Sequence, residues 1–294
     1  MLLIYTSKPT QRITYIFNHI CKRILGLKIN FTSSIEEFIA YSGPKISYGK
    51  KELGNELFFQ SAELLFQEGF DSIDVVVKDW EETKCFFTVG KNSSLPFDIF
   101  SASFYLLSRY EEYLPHVKDH KGRFLASESI AFKFGFLESP IVDIWAYKFK
   151  ELLLKYFPEL IFKDKNPNIH TLVNASYPLL YKSKGLLRTS IAYLDDLINF
   201  NLKNIFNRTT VLFGFRKDPY NTFNWIINTV KKSKNKLTVF FLLGDSKNYQ
   251  ESLNSQKSAL KLLIKNIADY KEIGLLFSFD ALQSLFVQNE EKEK

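Results

Sequence analysis

Several stretches of the chain hold side chains whose types and spacing could do chemistry. His116, Asp119 and His120 follow Pro115. Positions i and i+4 converge on a helix, so two imidazoles with a carboxylate could grip a divalent cation there. Their polar loop setting favours the plainer reading, solvated surface residues. Glu111 and Glu112 are adjacent and would point about 100° apart on a helix, the wrong disposition for a general acid and base flanking a substrate. A salt bridge or helix-end contact involving Arg109 is expected instead. Asp195-Asp196 falls on an expected helix beside a basic segment, where pairing with a neighbour such as Lys203 accounts for it. Asp245 is the most suggestive acid. It follows the apolar run Leu237–Leu243, which reads as a buried strand, and open α/β sheets gather ligands at strand carboxyl ends. Capping the next turn is its competing role. His19 and His170 have no evident partner, and no Ser/His/Asp or Cys/His signature or phosphate-cradling glycine loop occurs.

Composition narrows the class. With 294 residues, 46% of them hydrophobic, the chain can bury one large core or two moderate ones, and two domains are expected. The net charge of +7 is concentrated: Lys182–Lys236 holds eleven Lys/Arg against Asp195, Asp196 and Asp218. Phe200, Phe206, Phe213 and Phe215 are interleaved with these cations, a mixture that could track a nucleic-acid backbone. With no recognised nucleic-acid motif, that partner is disfavoured, and a solvated face or a surface for an anionic polymer or lipid explains the segment equally well. Cys21 and Cys85 lie far apart without a metal-ligand spacing, Met1–Tyr5 is too short for a signal-peptide core, and no apolar run nears the roughly 18 residues of a membrane span. A reducing cytoplasm is the expected compartment.

The first half reads as an α+β unit. Leu2–Tyr5 is an expected strand, and Thr10 caps a helix that carries Ile13, Phe17, Ile20 and Ile24 and stops at Gly26. Short strands are expected at Lys28–Thr32, Lys45–Tyr48, Ile73–Val77 and Cys85–Val89. Asp98 caps a second helix running to Pro115, and Ser139-Pro140 opens a third with Ile141, Trp145, Phe149, Leu152 and Tyr156 as its apolar stripe. The polar, proline-containing stretch 162–168 marks a boundary, placing the domains at 1–162 and 163–294. Beyond it, strands are expected at Ile169–Ala175, Leu237–Asp245 and Ile273–Phe279. Helices are expected at Leu186–Asn199, from Asp218-Pro219, and at Ser258–Tyr270, with a structureless charged tail from Gln288.

The run Leu95-Pro-Phe-Asp-Ile-Phe-Ser-Ala-Ser-Phe-Tyr-Leu-Leu-Ser-Arg-Tyr-Glu-Glu-Tyr-Leu-Pro115, with Gly122-Arg-Phe124 and Pro140-Ile-Val-Asp-Ile-Trp145, resembles the N-terminal domain of unknown function that precedes the deacetylase domain in bacterial polysaccharide deacetylase-family proteins. Tyr181-Lys-Ser-Lys-Gly185, Asp218-Pro-Tyr-Asn-Thr-Phe223 and Phe240-Phe-Leu-Leu-Gly-Asp245 are similar to landmarks of the same family. The resemblance implies an α/β protein, an N-terminal α+β domain followed by a distorted (β/α) barrel of NodB-like type. Its strand ends would hold a divalent metal such as zinc and hydrolyse an acetamide on a sugar. Family members usually continue beyond the strand matching Ile273–Phe279, so a truncated barrel with an unfinished, self-associating sheet edge is expected.

The site implied by the resemblance is depleted. The family's Asp-x-Asp, base and metal ligand, aligns with Asn174-Ala175-Ser176. Its Gly-x-His-x-Ser aligns with Gly274-Leu-Leu-Phe-Ser278, which puts Leu276 at the imidazole position and keeps only Ser278. Asp245 and Asp218 are the remnant acids. The leading expectation is a degenerate deacetylase-family protein of bacterial surface carbohydrate metabolism, with no cofactor, no metal and a polysaccharide or glycan precursor as partner. The alternatives are an active deacetylase with replacement ligands, and a non-catalytic module that binds an anionic partner through 182–236.

Overall fold

The computed structural model describes residues 1–163, 168–182, 184–233, 235–242 and 258–293. The chain divides into two compact units, Met1–Lys165 and Asn166–Lys294, both of mixed α/β type with parallel sheets.

The first unit is built on four parallel strands, β1 (Leu2–Tyr5), β2 (Ile29–Thr32), β3 (Lys45–Gly49) and β4 (Leu57–Gln60), in the spatial order β2-β1-β3-β4. From β1 the chain steps to one side for β2 and then crosses back to the other side for β3. That reversal opens a crevice at the carboxyl ends of β1 and β3. Between β1 and β2 runs α1 (Gln11–Phe17), started by Thr10, whose hydroxyl accepts from the Ile13 N–H and donates to the Leu65 carbonyl. The helix continues as a wide π-helical segment, Asn18–Ile24, that seats Cys21 in the core. At Gly26 the backbone is left-handed (φ 67°), and a Cβ would lie 2.4 Å from the Lys163 carbonyl oxygen, so only glycine fits. Helix α2 (Ile35–Ala40) links β2 to β3, and β5 (Lys78–Trp80) and β6 (Thr83–Cys85) form an antiparallel hairpin.

Helices α3 (Ile99–Leu107), α4 (Ile130–Lys133) and α5 (Ile141–Tyr156) complete this unit. Its core is aromatic: Phe100 stacks on Phe17 at 3.8 Å between ring centres and meets Tyr48, Phe59 and Phe149 edge-on. Burying each such ring contributes about 1.5–3 kcal/mol. Asp98, fully buried, caps α3 through the N–H groups of Phe100 and Ser101. It also accepts from the Tyr48 hydroxyl, the Ser101 hydroxyl and the Ala62 N–H. Burial nevertheless pushes its carboxyl above the usual range, the hydrogen bonds offsetting only part of that cost.

Several expectations need correction here. The helix capped by Asp98 stops at Leu107 rather than reaching Pro115, because Arg109 turns left-handed (φ 55°) and Tyr110–Tyr113 form a 3-10 turn. Ile73–Val77 forms no strand; Ile73, Val75 and Val77 pack against the core without a neighbouring strand to pair with. The run Leu57–Gln60 forms a strand that no alternation in the sequence announces. In α5 the buried seam advances in steps of four from Ile141 through Trp145 and Phe149 to Leu153, leaving Tyr156 exposed. Its cap position is Pro140, with no side-chain bond from Ser139.

The second unit carries β7 (His170–Ala175), β8 (Lys236–Leu242) and β9 (Glu272–Leu276), parallel and in that spatial order. Helices α6 (Leu186–Ile198), α7 (Leu202–Leu212) and α8 (Phe223–Ser233) lie between β7 and β8, and α9 (Ser258–Ala268) lies between β8 and β9. Phe223, Ile227 and Val230 of α8 and Ile267 of α9 pack with Ala175, Leu237, Val239 and Phe241 of the sheet. Gly274 lets β9 approach β8, since a Cβ there would meet the Phe240 ring at 2.5 Å. The expected structureless tail is helical instead. After β9 come α10 (Phe279–Gln283) and α11 (Leu285–Glu293), and Glu291 on α11 is buried. Among the described residues no helix is long and apolar enough to cross a membrane.

Candidate functional site

In register, Asn174, Phe240 and Gly274 form one row across the second sheet, followed by Ala175, Phe241 and Leu275. The carboxyl ends of β7 and β9 therefore carry Asn174-Ala175-Ser176 and Leu276 to one rim of the sheet. Strand β8 ends at Leu242, and Asp245 lies outside the described residues.

At that rim Asn174 and Ser176 satisfy each other. Asn174 Oδ1 accepts from the Ser176 N–H at 3.0 Å and from its hydroxyl at 2.6 Å, closing an Asx turn. Leu276 adds hydrocarbon. A dication needs anionic or imidazole donors. These three positions offer an amide, a hydroxyl and a butyl group, so they do not fit the metal that the resemblance implies. Ser278 does other work. Its hydroxyl caps α10 by accepting from the Ala281 N–H at 3.2 Å, and its own N–H donates to Glu291 Oε2 at 3.0 Å.

Asp218 is placed otherwise than expected. It does not open a helix, since α8 begins at Phe223; Asp218 sits in the preceding turn, 4% exposed. Its Oδ1 accepts from Leu180 N (2.7 Å) and Tyr220 N (3.1 Å), and its Oδ2 from Tyr181 N (2.9 Å) and Lys182 N (3.1 Å). Four main-chain donors occupy this carboxylate, which fastens the 180–182 loop and is not positioned to take a proton from water.

Beside that loop opens a cleft of about 740 Å³. The exposed rings of Phe215 and Trp225 stand in its wall with the amides of Asn221, Asn224 and Asn228, and Lys182, Arg216 and Lys217 bring positive charge. Among the described residues Asp218 is its single carboxylate. A neighbouring cleft of about 530 Å³ shares Asn224 and Asn228 and continues the same chemistry with Lys231, Asn266, Tyr270 and Lys271. Helix α8 thus lays an amide ladder between two cationic hollows. Aromatic faces with amide donors and acceptors suit sugar rings, and cations suit acidic ones. The sequence carries a signal for this, Asn221, Asn224, Trp225 and Asn228 at helical spacing just after Arg216-Lys217.

The remaining candidates have local roles. Asp196 pairs with Arg208 on α7 at 2.7 Å, both side chains nearly buried, rather than with Lys203; Arg208 in turn lies over the rings of Tyr181 and Tyr193. Asp195 accepts from the Asn199 side chain. In the first unit Asp119 accepts from the main-chain N–H groups of Lys121 and Arg123 and from the Arg123 guanidinium. Those bonds, the Arg123 N–H first, hold its carboxyl down at about 2. His116 contacts the Leu114 carbonyl and the Phe124 ring, so the His116, Asp119 and His120 stretch forms a turn and no ligand set. Arg109 pairs with Glu112, while Glu111 accepts from the Ile130 N–H, and burial raises its carboxyl. His170 finds a partner in Thr238, whose hydroxyl donates to Glu272, so one chain of hydrogen bonds crosses all three strands. Among the described residues no three His, Cys, Asp or Glu side chains gather as a ligand set.

No curated protein and no solved structure matches this sequence. One family model does, over residues 2–158, a span that contains the whole first sheet and helices α1 to α5. That match covers just over half of the chain, which therefore belongs to the family of unknown function DUF7033.

Proposed function

We propose that this chain is a polysaccharide-deacetylase-like protein that grips an acidic glycan without running metal-dependent deacetylation. The cleft beside α8 carries the reading. Phe215 and Trp225 can stack on sugar faces, Asn221, Asn224 and Asn228 can bond hydroxyls, and Lys182, Arg216 and Lys217 can meet carboxylate or sulfate groups. Asp218, the cleft's one acid among the described residues, is 4% exposed and has both oxygens engaged by main-chain N–H groups. The neighbouring hollow around Tyr270 and Lys271 extends the track, as a polymer would require.

The loss of activity in this reading rests on Asn174, Ser176 and Leu276, which supply neither base nor charge where the family reaction needs both. The parallel strands β7, β8 and β9 with intervening helices are compatible with the opening strands of a distorted (β/α) barrel. The fully occupied carboxylate of Asp218 counts against a replacement-ligand enzyme.

The test is calorimetric titration of the full chain with a uronate-containing oligosaccharide, a neutral chitin-type oligosaccharide and a single-stranded DNA of matched charge, with acetate release followed in parallel. The acidic sugar should bind best, weaken as salt is raised, and lose about tenfold or more in affinity in W225A, a loss in the range of one stacking contact. Tighter binding of the DNA, equal binding of neutral and acidic sugars, or acetate release from the chitin-type oligomer would refute the reading.

A further inference from the structure

The first unit contains a cavity of its own, of about 420 Å³, at the point where its strand order reverses. We infer that this cavity is a binding site for a small anion with a flat apolar body, the chemistry of a nucleoside phosphate. The inference is independent of the glycan cleft, which belongs to the other unit.

Position is the first argument. In an open parallel sheet, main-chain groups at the carboxyl ends of two strands whose connections diverge are left facing a crevice that no helix covers, and ligands collect there. Here the diverging strands are β1 and β3. Tyr5 from the end of β1, Ser7 from the turn after it, and Ser47 and Gly49 from β3 all line the cavity. The volume falls within the roughly 300–1,000 Å³ of small-molecule sites.

Chemistry is the second. Leu53 and Phe66 give the cavity an apolar wall, and Phe66 is held flat by stacking on Tyr48 at 5.9 Å. Lys50 and Lys51 stand at the same cavity. Glu63 pairs with Lys50 at 2.6 Å, whereas exposed Lys51 has no ion-pair partner among the described residues. Ser47 is committed to Glu56, which also accepts from the Leu53 N–H. These bonds outweigh burial and keep Glu56 below the usual carboxylate range, so the seven-residue connection 50–56 is tied to the strand end. An anion at Lys51 and Ser7 with its ring against Phe66 would use both the polar and the apolar lining of the space.

Calorimetric titration of the full chain with ADP, UDP, adenosine and inorganic phosphate tests the inference, with K51E and G49L as variants. A Cβ at Gly49 meets no atom within 4 Å, so the leucine can occupy the space without displacing the strand. At least one nucleotide should bind, and more tightly than either adenosine or phosphate. K51E should weaken it about tenfold or more, as loss of a charge-assisted contact does, and G49L should abolish it while the unfolding midpoint stays within a few degrees of wild type. Failure of both nucleotides to bind at millimolar concentration, phosphate alone binding as tightly, or binding unchanged in both variants would overturn it. Because Trp225 is remote in sequence and outside this unit, W225A leaves this result untouched, and failure of one site does not count against the other.

Discussion

Ser176 Oγ lies 2.6 Å from Asn174 Oδ1, and through that bond the two side chains satisfy each other at the rim of the second sheet. Two aspartates in the same places would repel each other until a cation bridged them. An amide and a hydroxyl need no cation.

Placing the deacetylases' donor types at these positions should therefore create a metal site. The triple variant N174D/S176D/L276H places two carboxylates and an imidazole at one rim of the sheet, and it should take up about one zinc per chain where the unmodified chain takes up none. Elemental analysis after gel filtration reads this directly. A triple variant that folds and stays metal-free would mean that the three positions do not converge as the family's ligands do.

Asp218 should prove structural. In Asp218→Ala four main-chain N–H groups lose their acceptor, which should cost about 2–4 kcal/mol in urea unfolding of the second unit. Asp218→Asn keeps one oxygen and should fall between. A loss under about 1 kcal/mol would show that something else fastens the 180–182 loop.

Two aspartates of the first unit should titrate in opposite directions. Hydrogen bonds from Arg123 and Lys121 hold Asp119 down at about 2, so its favourable contribution is present above the ordinary aspartate value and lost as pH falls through about 2. Burial raises Asp98, so its contribution is full below the ordinary value and lost as pH rises through its elevated one. Carboxylate carbon NMR of the folded protein near pH 3 should find Asp119 ionised and Asp98 protonated. Arg123→Ala should move Asp119 only part of the way up, because the main-chain donors remain. Coincident titration of the two groups near 4 would contradict both assignments.

The local parts of this fold were readable because their causes are local. Thr10 and Asp98 bond N–H groups three residues or fewer away, and a cap of that kind is written in the sequence itself. Strand β4 was not readable, because Leu57-Phe-Phe-Gln60 is a short run buried on both faces and has no alternation to reveal it. Ile73–Val77 has the alternation but no neighbour to pair with. The tail was misread for a related reason: Glu291 looks like one more charge among charges, and only the fold shows that it reaches back thirteen residues to Ser278. At the candidate site the amide, hydroxyl and hydrocarbon of Asn174, Ser176 and Leu276 are plain in the sequence. The 180–182 partners of Asp218, and the partners of Asp196 and His170, could not be read from it, since those bonds join segments brought together only by tertiary packing. The two clefts along α8 and the cavity at the strand reversal are products of topology, and no spacing rule encodes them.

The burial of both cysteines has a practical consequence. Cys21 is sealed within the π-helical turn, and Cys85 is 4% exposed; burial raises both thiols further from the reactive thiolate. Maleimides should leave the unmodified protein untouched, which makes it a silent background for labelling. A single new cysteine at Lys51 or at Asn221 could then carry a fluorophore into either hollow without first stripping the chain of its own sulfur.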